Sequence, residues 1–145
     1  MATIKSFTSL EQSRKLAEIL PLESADMYYD RGGLPSFIDK YVTHESIKND
    51  KYHHLIPCWS LAALMNFLPS EFTEKGKYSE TTYKIDIRKY ALTEDVDLYQ
   101  IAYGNYKFYE DGNSSWKDMI NTGEKENLID AVFQMVIWIK ENEKI

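Results

Sequence analysis

The chain has 145 residues, of which 43% are apolar and 28% charged, and its formal net charge is −6. This length suits one compact domain over residues 1–145, and the apolar content is too high for a disordered chain. Acidic residues and lysines are mixed along the sequence, and no Lys/Arg cluster interleaves with aromatic residues. The composition therefore argues against a protein that binds the nucleic-acid backbone.

The number of cysteines and the hydropathy of the chain indicate the cellular compartment in which the protein is expected. The chain has one cysteine, Cys58, so it cannot form an intrachain disulfide, as is typical of proteins from a reducing cytoplasm. Its first residues, MATIKSFTSLEQS, contain no apolar run of signal-peptide length. The longest apolar run lies mid-chain and is too short to cross a bilayer. We therefore expect a cytoplasmic protein without membrane attachment.

The first predicted element is an amphipathic helix that starts at a capping box. Thr8 with Glu11, or Ser9 with Gln12, has the spacing that this motif requires. Leucines and isoleucines recur at helical spacing after it, and Pro21 ends the helix.

Residues 24–51 carry weaker signals. The segment SADMYYD, residues 24–30, is compatible with a short strand, and residues 36–42 with a helical turn. Residues 44–51 are predicted to form a polar loop. The long irregular stretch from residue 31 onward indicates a functional loop.

An apolar run from Pro57 to Pro69, PCWSLAALMNFLP, is the centre of the sequence. Leu, Ala and Met favour a helix over a strand, and Val, Ile and Thr do not occur between the two prolines. Pro57 suits a first helical turn, and Pro69 disfavours helical geometry at Leu68. We predict a buried helix of about three turns.

A strand meander is predicted after a polar loop over residues 70–82. Apolar and polar residues alternate over residues 83–88 and, less cleanly, over residues 97–103. Gly104-Asn105 has the composition of a type II′ turn, so residues 105–109 would form the third strand of an antiparallel meander. Residues 116–120 are compatible with a helical turn, and the final helix is predicted over about residues 125–142.

These elements predict an α+β fold. It consists of an antiparallel three- to four-stranded meander sheet packed against a buried central helix and amphipathic N- and C-terminal helices. One face of the sheet, rich in tyrosine, would stay exposed or be covered by a second subunit.

Cys58 is the residue best placed for chemistry, because a thiol at a helix start has a lowered pKa. His53 and His54 are close in sequence and could act as its base. The pair Cys58-Trp59 also resembles papain-like thiol hydrolases, but those enzymes place the catalytic His after the Cys, and no His follows His54. The alternative is that Cys58 is a small apolar residue of the core.

Metal and cofactor signals are weak. His44, His53, His54 and Cys58 lack the paired cysteines of structural zinc sites, so we predict neither metal nor cofactor. No phosphate-binding glycine motif is present. Asp26 is interpreted as a cap or turn residue, and Asp86 as a residue of a solvated sheet face.

Three blocks of the sequence carry a family resemblance: residues 11–27 (EQSRKLAEILPLESADM), residues 57–69, and residues 128–139 (LIDAVFQMVIWI). Together they resemble a set of small uncharacterised proteins associated with phage-like or other mobile elements of gut bacteria. The resemblance implies an accessory protein of such an element and implies no catalytic residue.

The function expected from the sequence is a non-enzymatic protein-interaction module with an unknown protein partner, which could also form a homodimer. The tyrosine-rich sheet face and residues 31–54 are the expected contact surfaces. The alternative is a small thiol-dependent enzyme that uses Cys58 with His53 or His54.

Overall fold

The computed structural model describes residues 5–51 and 54–142 of the chain. They fall into two compact units, residues 5–67 (the N-unit) and residues 68–142 (the C-unit), each with its own antiparallel sheet. The α+β class predicted from the sequence is confirmed. Whether residues 1–145 behave as a single domain stays a prediction.

The N-unit combines three short strands with three helices. Helix α1 spans Leu10–Ile19, α2 His44–Lys48 and α3 Leu61–Met65, and a short 3₁₀ helix spans Leu22–Ser24. Strands β1 (Met27–Tyr29), β2 (Pro35–Phe37) and β3 (Ile56–Cys58) form a sheet in the order β2-β1-β3.

Helix α1 begins as the sequence predicts. Ser9 Oγ accepts the N–H of Gln12 at 3.1 Å, and the Gln12 side chain accepts the N–H of Ser9 at 3.0 Å. Both bonds satisfy backbone groups that the first turn leaves without an intrahelical partner. The capping box at Ser9 is confirmed, and the strand predicted within residues 24–30 is confirmed as β1.

The buried helix of about three turns predicted from Pro57 to Pro69 is wrong in its first half, in its length and in its burial, because α3 spans only Leu61–Met65 and buries only Leu64. Pro57 and Cys58 lie in β3, where Pro57 is paired with Tyr28 and Cys58 with Met27. The helix begins only at Leu61, because Ser60 caps it by accepting the N–H of Ala63 at 3.2 Å. An edge strand tolerates proline, so Pro57 does not require a helix start.

Two predictions in residues 31–51 are also corrected. Part of the helical turn expected over residues 36–42 belongs to β2, and the polar loop expected over residues 44–51 contains α2. Thr43 and Ser46 form a capping box with each other, in which serine takes the place usually held by Glu or Gln.

The C-unit is a four-stranded meander covered by one helix. Strands β4 (Glu71–Lys75), β5 (Glu80–Ala91), β6 (Asp97–Phe108) and β7 (Ser114–Asn121) follow one another in the order β4-β5-β6-β7, and α4 spans Leu128–Glu141. The predicted antiparallel meander and C-terminal helix are therefore confirmed. Among the described residues, no helix is long and apolar enough to cross a membrane.

Helix α4 packs on β6, on the face of the sheet that carries Phe72. The Phe72 ring centroid lies 5.1 Å from that of Tyr103 and 6.2 Å from that of Trp138 on α4. The buried Tyr103 side chain donates its hydroxyl to the carbonyl of Pro69 at 2.7 Å. Aromatic side chains thus form the contact between helix and sheet, and the polar hydroxyl of Tyr103 at this contact is hydrogen-bonded.

The turn predicted at Gly104-Asn105 is wrong, because both residues lie inside β6. Gly104 is required for a close approach: a Cβ there would overlap the carbonyl oxygen of Lys117 and lie 2.9 Å from the Trp116 ring. The β5–β6 hairpin turns at residues 92–96, where the Leu92 N–H binds the carbonyl of Val96 at 2.9 Å.

Three further corrections concern the C-unit. Part of the loop predicted over residues 70–82 is β4, and the helical turn predicted over residues 116–120 is part of β7. A bulge between β6 and β7 pairs Tyr103 with Ile120 but Gly104 with Asp118. The extra residue interrupts the two-residue period by which a strand is recognised.

Candidate functional site

Cys58 is enclosed by the N-unit core. It is wholly buried, and its Sγ lies 3.5 Å from both the side-chain oxygen and the carbonyl oxygen of Thr8. Burial is the main cause that raises the pKa of the thiol above its ordinary value, and the hydrogen bond from Thr8 opposes it. An activated cysteine needs the opposite environment, an accessible site that stabilises the thiolate.

The histidines proposed as bases have other placements. The Nδ1 atom of His54 accepts from the Arg31 guanidinium, at 2.7 Å from Nη2 and 3.1 Å from Nε. His53 lies outside the described residues, so its predicted role stays a prediction. His44 Nε2 lies 2.6 Å from the carbonyl oxygen of Ala25. In residues 5–51 and 54–142, no three His, Cys, Asp or Glu side chains are grouped as a metal site requires.

A buried polar network surrounds the thiol and has a structural role. Thr8 is wholly buried; its Oγ1 lies 2.8 Å from Ser13 Oγ and accepts the Trp59 N–H at 3.2 Å. The Tyr29 hydroxyl donates to the Thr8 carbonyl at 2.6 Å, and burial raises the pKa of Tyr29 to about 12. Since these polar groups are satisfied by one another, the network stabilises the N-unit.

Asp26, interpreted from the sequence as a cap or turn residue, joins β1 to the start of α3 without capping the helix itself. Its Oδ1 accepts the N–H of Ser60 at 2.8 Å, and its Oδ2 accepts the Ser60 hydroxyl in a short hydrogen bond. Ser60 in turn caps α3. Asp26 therefore positions a helix start, and this explains why a carboxylate is needed there.

Residues 31–54 provide one of the contact surfaces expected from the sequence. Leu34, Phe37 and Tyr41 are exposed, and Tyr41 has 78% of its surface accessible. In the same unit, an open groove of about 440 Å³ is lined mainly by apolar side chains, among them Ile47 and Leu55, together with Arg14 and Glu18.

The exposed face of the four-stranded sheet is the one opposite to α4, which we call the outer face. It is not the tyrosine-rich face expected to stay exposed, because Tyr83 and Tyr103 lie against Phe72 on the face that α4 covers. By strand register it carries Arg88 on β5, Ala102 on β6 and Asp118 on β7. The Arg88 guanidinium donates to both Asp118 oxygens, to Asp86 at 2.7 Å and to Gln100 at 3.2 Å. The interpretation of Asp86 as a sheet-face residue agrees with this position, although the neighbouring Arg88 is mostly covered, with its side chain 20% exposed.

The charges at the centre of the outer face stabilise one another. The hydrogen bonds that Arg88 donates to Asp118 are the main cause that raises the pKa of Arg88, and they are also the main cause that lowers the pKa of Asp118. Trp116 Nε1 also donates to Asp118 at 2.6 Å. The ion pair thus holds an aromatic side chain in a defined orientation on this face.

Aromatic side chains extend the outer face toward one end of the sheet. The Tyr106 ring meets the Trp116 ring edge to face, with centroids 5.3 Å apart. Tyr106 is 59% and Phe108 82% exposed. A rigid aromatic group beside a fixed ion pair can bind another protein.

The sequence offered Trp116 as a possible interface residue but did not identify Asp118, because residues 116–120 were assigned to a helical turn. Apolar and polar residues do not alternate in WKDMI, since the bulge adds one residue there. Comparisons with protein-family models, with curated proteins and with solved structures found no match to this chain. The resemblance to phage-associated proteins therefore stays a prediction.

Proposed function

We propose that this protein is a non-enzymatic, cytoplasmic interaction module that binds a protein partner through the outer face of its four-stranded sheet. The observation that carries the proposal is the exposure of Tyr106 and Phe108 beside the Arg88–Asp118 ion pair. Exposed aromatic side chains of limited rotamer freedom supply much of the binding energy at protein interfaces.

The arrangement favours a protein over a small ligand. Trp116 is fixed by its bond to Asp118 and by its contact with Tyr106, so little side-chain entropy is lost when a partner covers the patch. The patch is mixed in polarity, whereas small-molecule sites are enclosed and mostly apolar. The phage or mobile-element role implied by resemblance is compatible with such a module.

A site-specific photo-crosslink tests the proposal. A benzophenone side chain replaces Phe108 in one variant and Tyr78 in a matched control, since Tyr78 is also in the C-unit and is 90% exposed. Irradiation in an extract of the source cells should give a discrete adduct at position 108 and none at position 78. Equal labelling at both positions, or no adduct at position 108, would contradict the proposal.

The homodimer predicted from the sequence is tested by the same variant. A crosslinked species of twice the chain mass, formed by the pure protein at position 108, would identify the partner as a second copy. The alternative of a thiol enzyme draws no support from the geometry, because Cys58 is buried and its pKa is raised.

A further inference from the structure

Strand β5 is longer than β4, its neighbour on one side. Its 12 residues pair with β6 as far as Ala91, but β4 pairs only with residues 80–84, and the Ser70 carbonyl then accepts the N–H of Ile85 at 3.0 Å. Residues 86–91 therefore have a strand on one side only. We call the other side of this segment the open edge.

Strand geometry identifies the groups that face the open edge. The N–H of Ile85 points toward β4, and alternate residues of a strand point the same way. The N–H and C=O groups of Ile87, Lys89 and Ala91 therefore face the open edge. Within residues 5–51 and 54–142, no backbone group pairs with them there. The segment is also solvent-accessible, since Ile87 within it is 43% exposed and Leu92, which directly follows it, is 63% exposed.

The other edges of this sheet are protected. Strand β4 has only five residues, EFTEK, three of which are charged. Strand β7 carries the bulge beside Asp118, which disturbs a regular ladder. Short, charged or bulged edges resist the addition of another strand. The open edge of β5 has no bulge and carries exposed apolar side chains at Ile87 and Tyr90.

We propose that the open edge of β5 binds an extended segment of a partner protein as an added antiparallel strand, with an acidic side chain opposite Lys89. This inference rests on the proposed function and adds a second contact for the partner, at the end of β5 away from Phe108. Three aligned donor–acceptor pairs on the backbone select an extended strand.

The charge of Lys89, at the centre of the open edge, determines which side chain of the partner strand fits opposite it. Lys89 is central and its side chain is 62% exposed; its ion pair with Asp97, at 3.5 Å, leaves other ammonium protons available. Opposite charges across paired strands stabilise the pair, and like charges destabilise it. A carboxylate opposite Lys89 therefore completes the ladder.

A second copy of the chain is a poorer occupant. Two-fold pairing centred on Lys89 would place two lysines opposite each other, and pairing centred on Arg88 would place two arginines opposite each other. Pairing centred on Tyr90 would bring the hairpin turn at residues 92–96 into the ladder, where the Leu92 N–H is already bonded to Val96. Two chains of net charge −6 also repel one another.

Amide hydrogen exchange of the full chain provides the first test. In the free protein, the amides of Ile87, Lys89 and Ala91 should exchange rapidly, while those of Asp86, Arg88 and Tyr90, which face β6, should be protected. Protection of the first three in the free protein would overturn the proposal.

A capped heptapeptide with the sequence TVTETVT is the probe for the added strand. At a peptide concentration of about 1 mM, about ten times a Kd of about 0.1 mM, the exchange of the three edge amides should become at least about tenfold slower, since protection by a ligand scales as one plus the ratio of its concentration to Kd. N-methylation of its central glutamate, which faces β5, should abolish protection, whereas N-methylation of the next threonine, which faces away, should not. Absence of protection, or equal effects of the two methylations, would overturn the proposal.

A charge-reversal pair provides the matched control. Lys89→Glu should weaken binding of TVTETVT, and a peptide with lysine at its centre should bind this variant better than the parent protein. Binding that appears only after deletion of residues 1–4 would assign the edge to the chain's own N-terminal segment and overturn the proposal. The crosslink at position 108 is independent of these results, so failure of the edge and failure of the interaction function can be distinguished.

Discussion

The Arg88 guanidinium and the Asp118 carboxylate meet across β6, with Nη1–Oδ2 at 2.9 Å and Nη2–Oδ1 at 2.5 Å. They come from β5 and β7, two strands that are not neighbours. Between them β6 presents Ala102 and Gly104, whose small side chains leave room for the guanidinium and the carboxylate to approach. The ion pair thus connects three strands of the sheet through one bidentate contact.

We predict that Asp118→Asn destabilises the protein by about 1–3 kcal/mol, because it weakens charge-assisted hydrogen bonds between side chains that are mostly covered. Asp86→Asn is the matched control; its carboxylate is 44% exposed, and the loss should be below about 1 kcal/mol. Urea denaturation at pH 7 measures both variants. Equal losses would show that Asp118 has no special role in holding the sheet together.

The same ion pair predicts a pH dependence. The folded-state pKa of Asp118 lies below its unfolded value. Its contribution to stability is therefore present above the unfolded pKa, about 3.9, and is lost as the pH falls through the folded pKa. The free energy of unfolding of Asp118→Asn should fall less than that of the parent between pH 5 and pH 2 (about the titration range of a carboxyl group). Parallel curves would contradict this assignment.

Cys58 should react with iodoacetamide only when the N-unit opens. Its thiol is buried and its pKa is raised, so the native protein should be labelled at least about a hundredfold more slowly than the denatured chain, as follows from an opening cost of about 3 kcal/mol or more. The raised pKa also predicts that stability falls as the pH rises above the unfolded pKa of about 8.5. Rapid native labelling at pH 7 would favour the thiol-enzyme alternative.

Gly104→Ala should destabilise the C-unit by about 3 kcal/mol or more, the range of severe packing faults. The added methyl group would overlap the Lys117 carbonyl oxygen, which belongs to the backbone and cannot rotate away. Gly32→Ala is the matched control, because its nearest atom is a side-chain oxygen of Asp30 at 3.4 Å. Thermal unfolding followed by circular dichroism compares the two, and a similar midpoint for both would refute the close-approach explanation.

Asp26→Asn and Ser60→Ala should be strongly coupled, since the carboxylate binds both the N–H and the hydroxyl of Ser60. Each substitution should cost about 1–3 kcal/mol, the usual cost of an unmatched buried polar group. The double variant should lose less than the sum, by about 0.5 kcal/mol or more. Strict additivity in urea denaturation would show that the contact does not stabilise the start of α3.

Elements with strong local signals were predicted correctly. The Ser9–Gln12 capping box and the apolar spacing of the C-terminal helix depend on residues within a few positions of one another. Alternation over residues 83–88 likewise identified part of β5. Ile87 was expected to face the core but is 43% exposed, because β4 ends beside Ile85 and no described strand flanks the segment beyond it.

Elements defined by distant partners were predicted wrongly. Pro57 and Cys58 extend as a strand because β1 pairs with them, although their composition favours a helix. Gly104 looked like a turn residue, and only the approach of Trp116 from β7 explains why glycine is needed in mid-strand. Propensity is judged from a short stretch of sequence, and this stretch does not include β1 in the first case or Trp116 in the second.

Local patterns were enough to predict the α+β class, the two amphipathic helices at the ends and the antiparallel meander, because capping, helical spacing and alternation involve residues close together in the chain. The burial of Cys58, the ion pair between Arg88 and Asp118, and the open edge of β5 could be seen only in the folded chain. These features depend on which strands become neighbours and where each one stops. That outcome follows from the packing of side chains far apart in sequence, which no local pattern encodes.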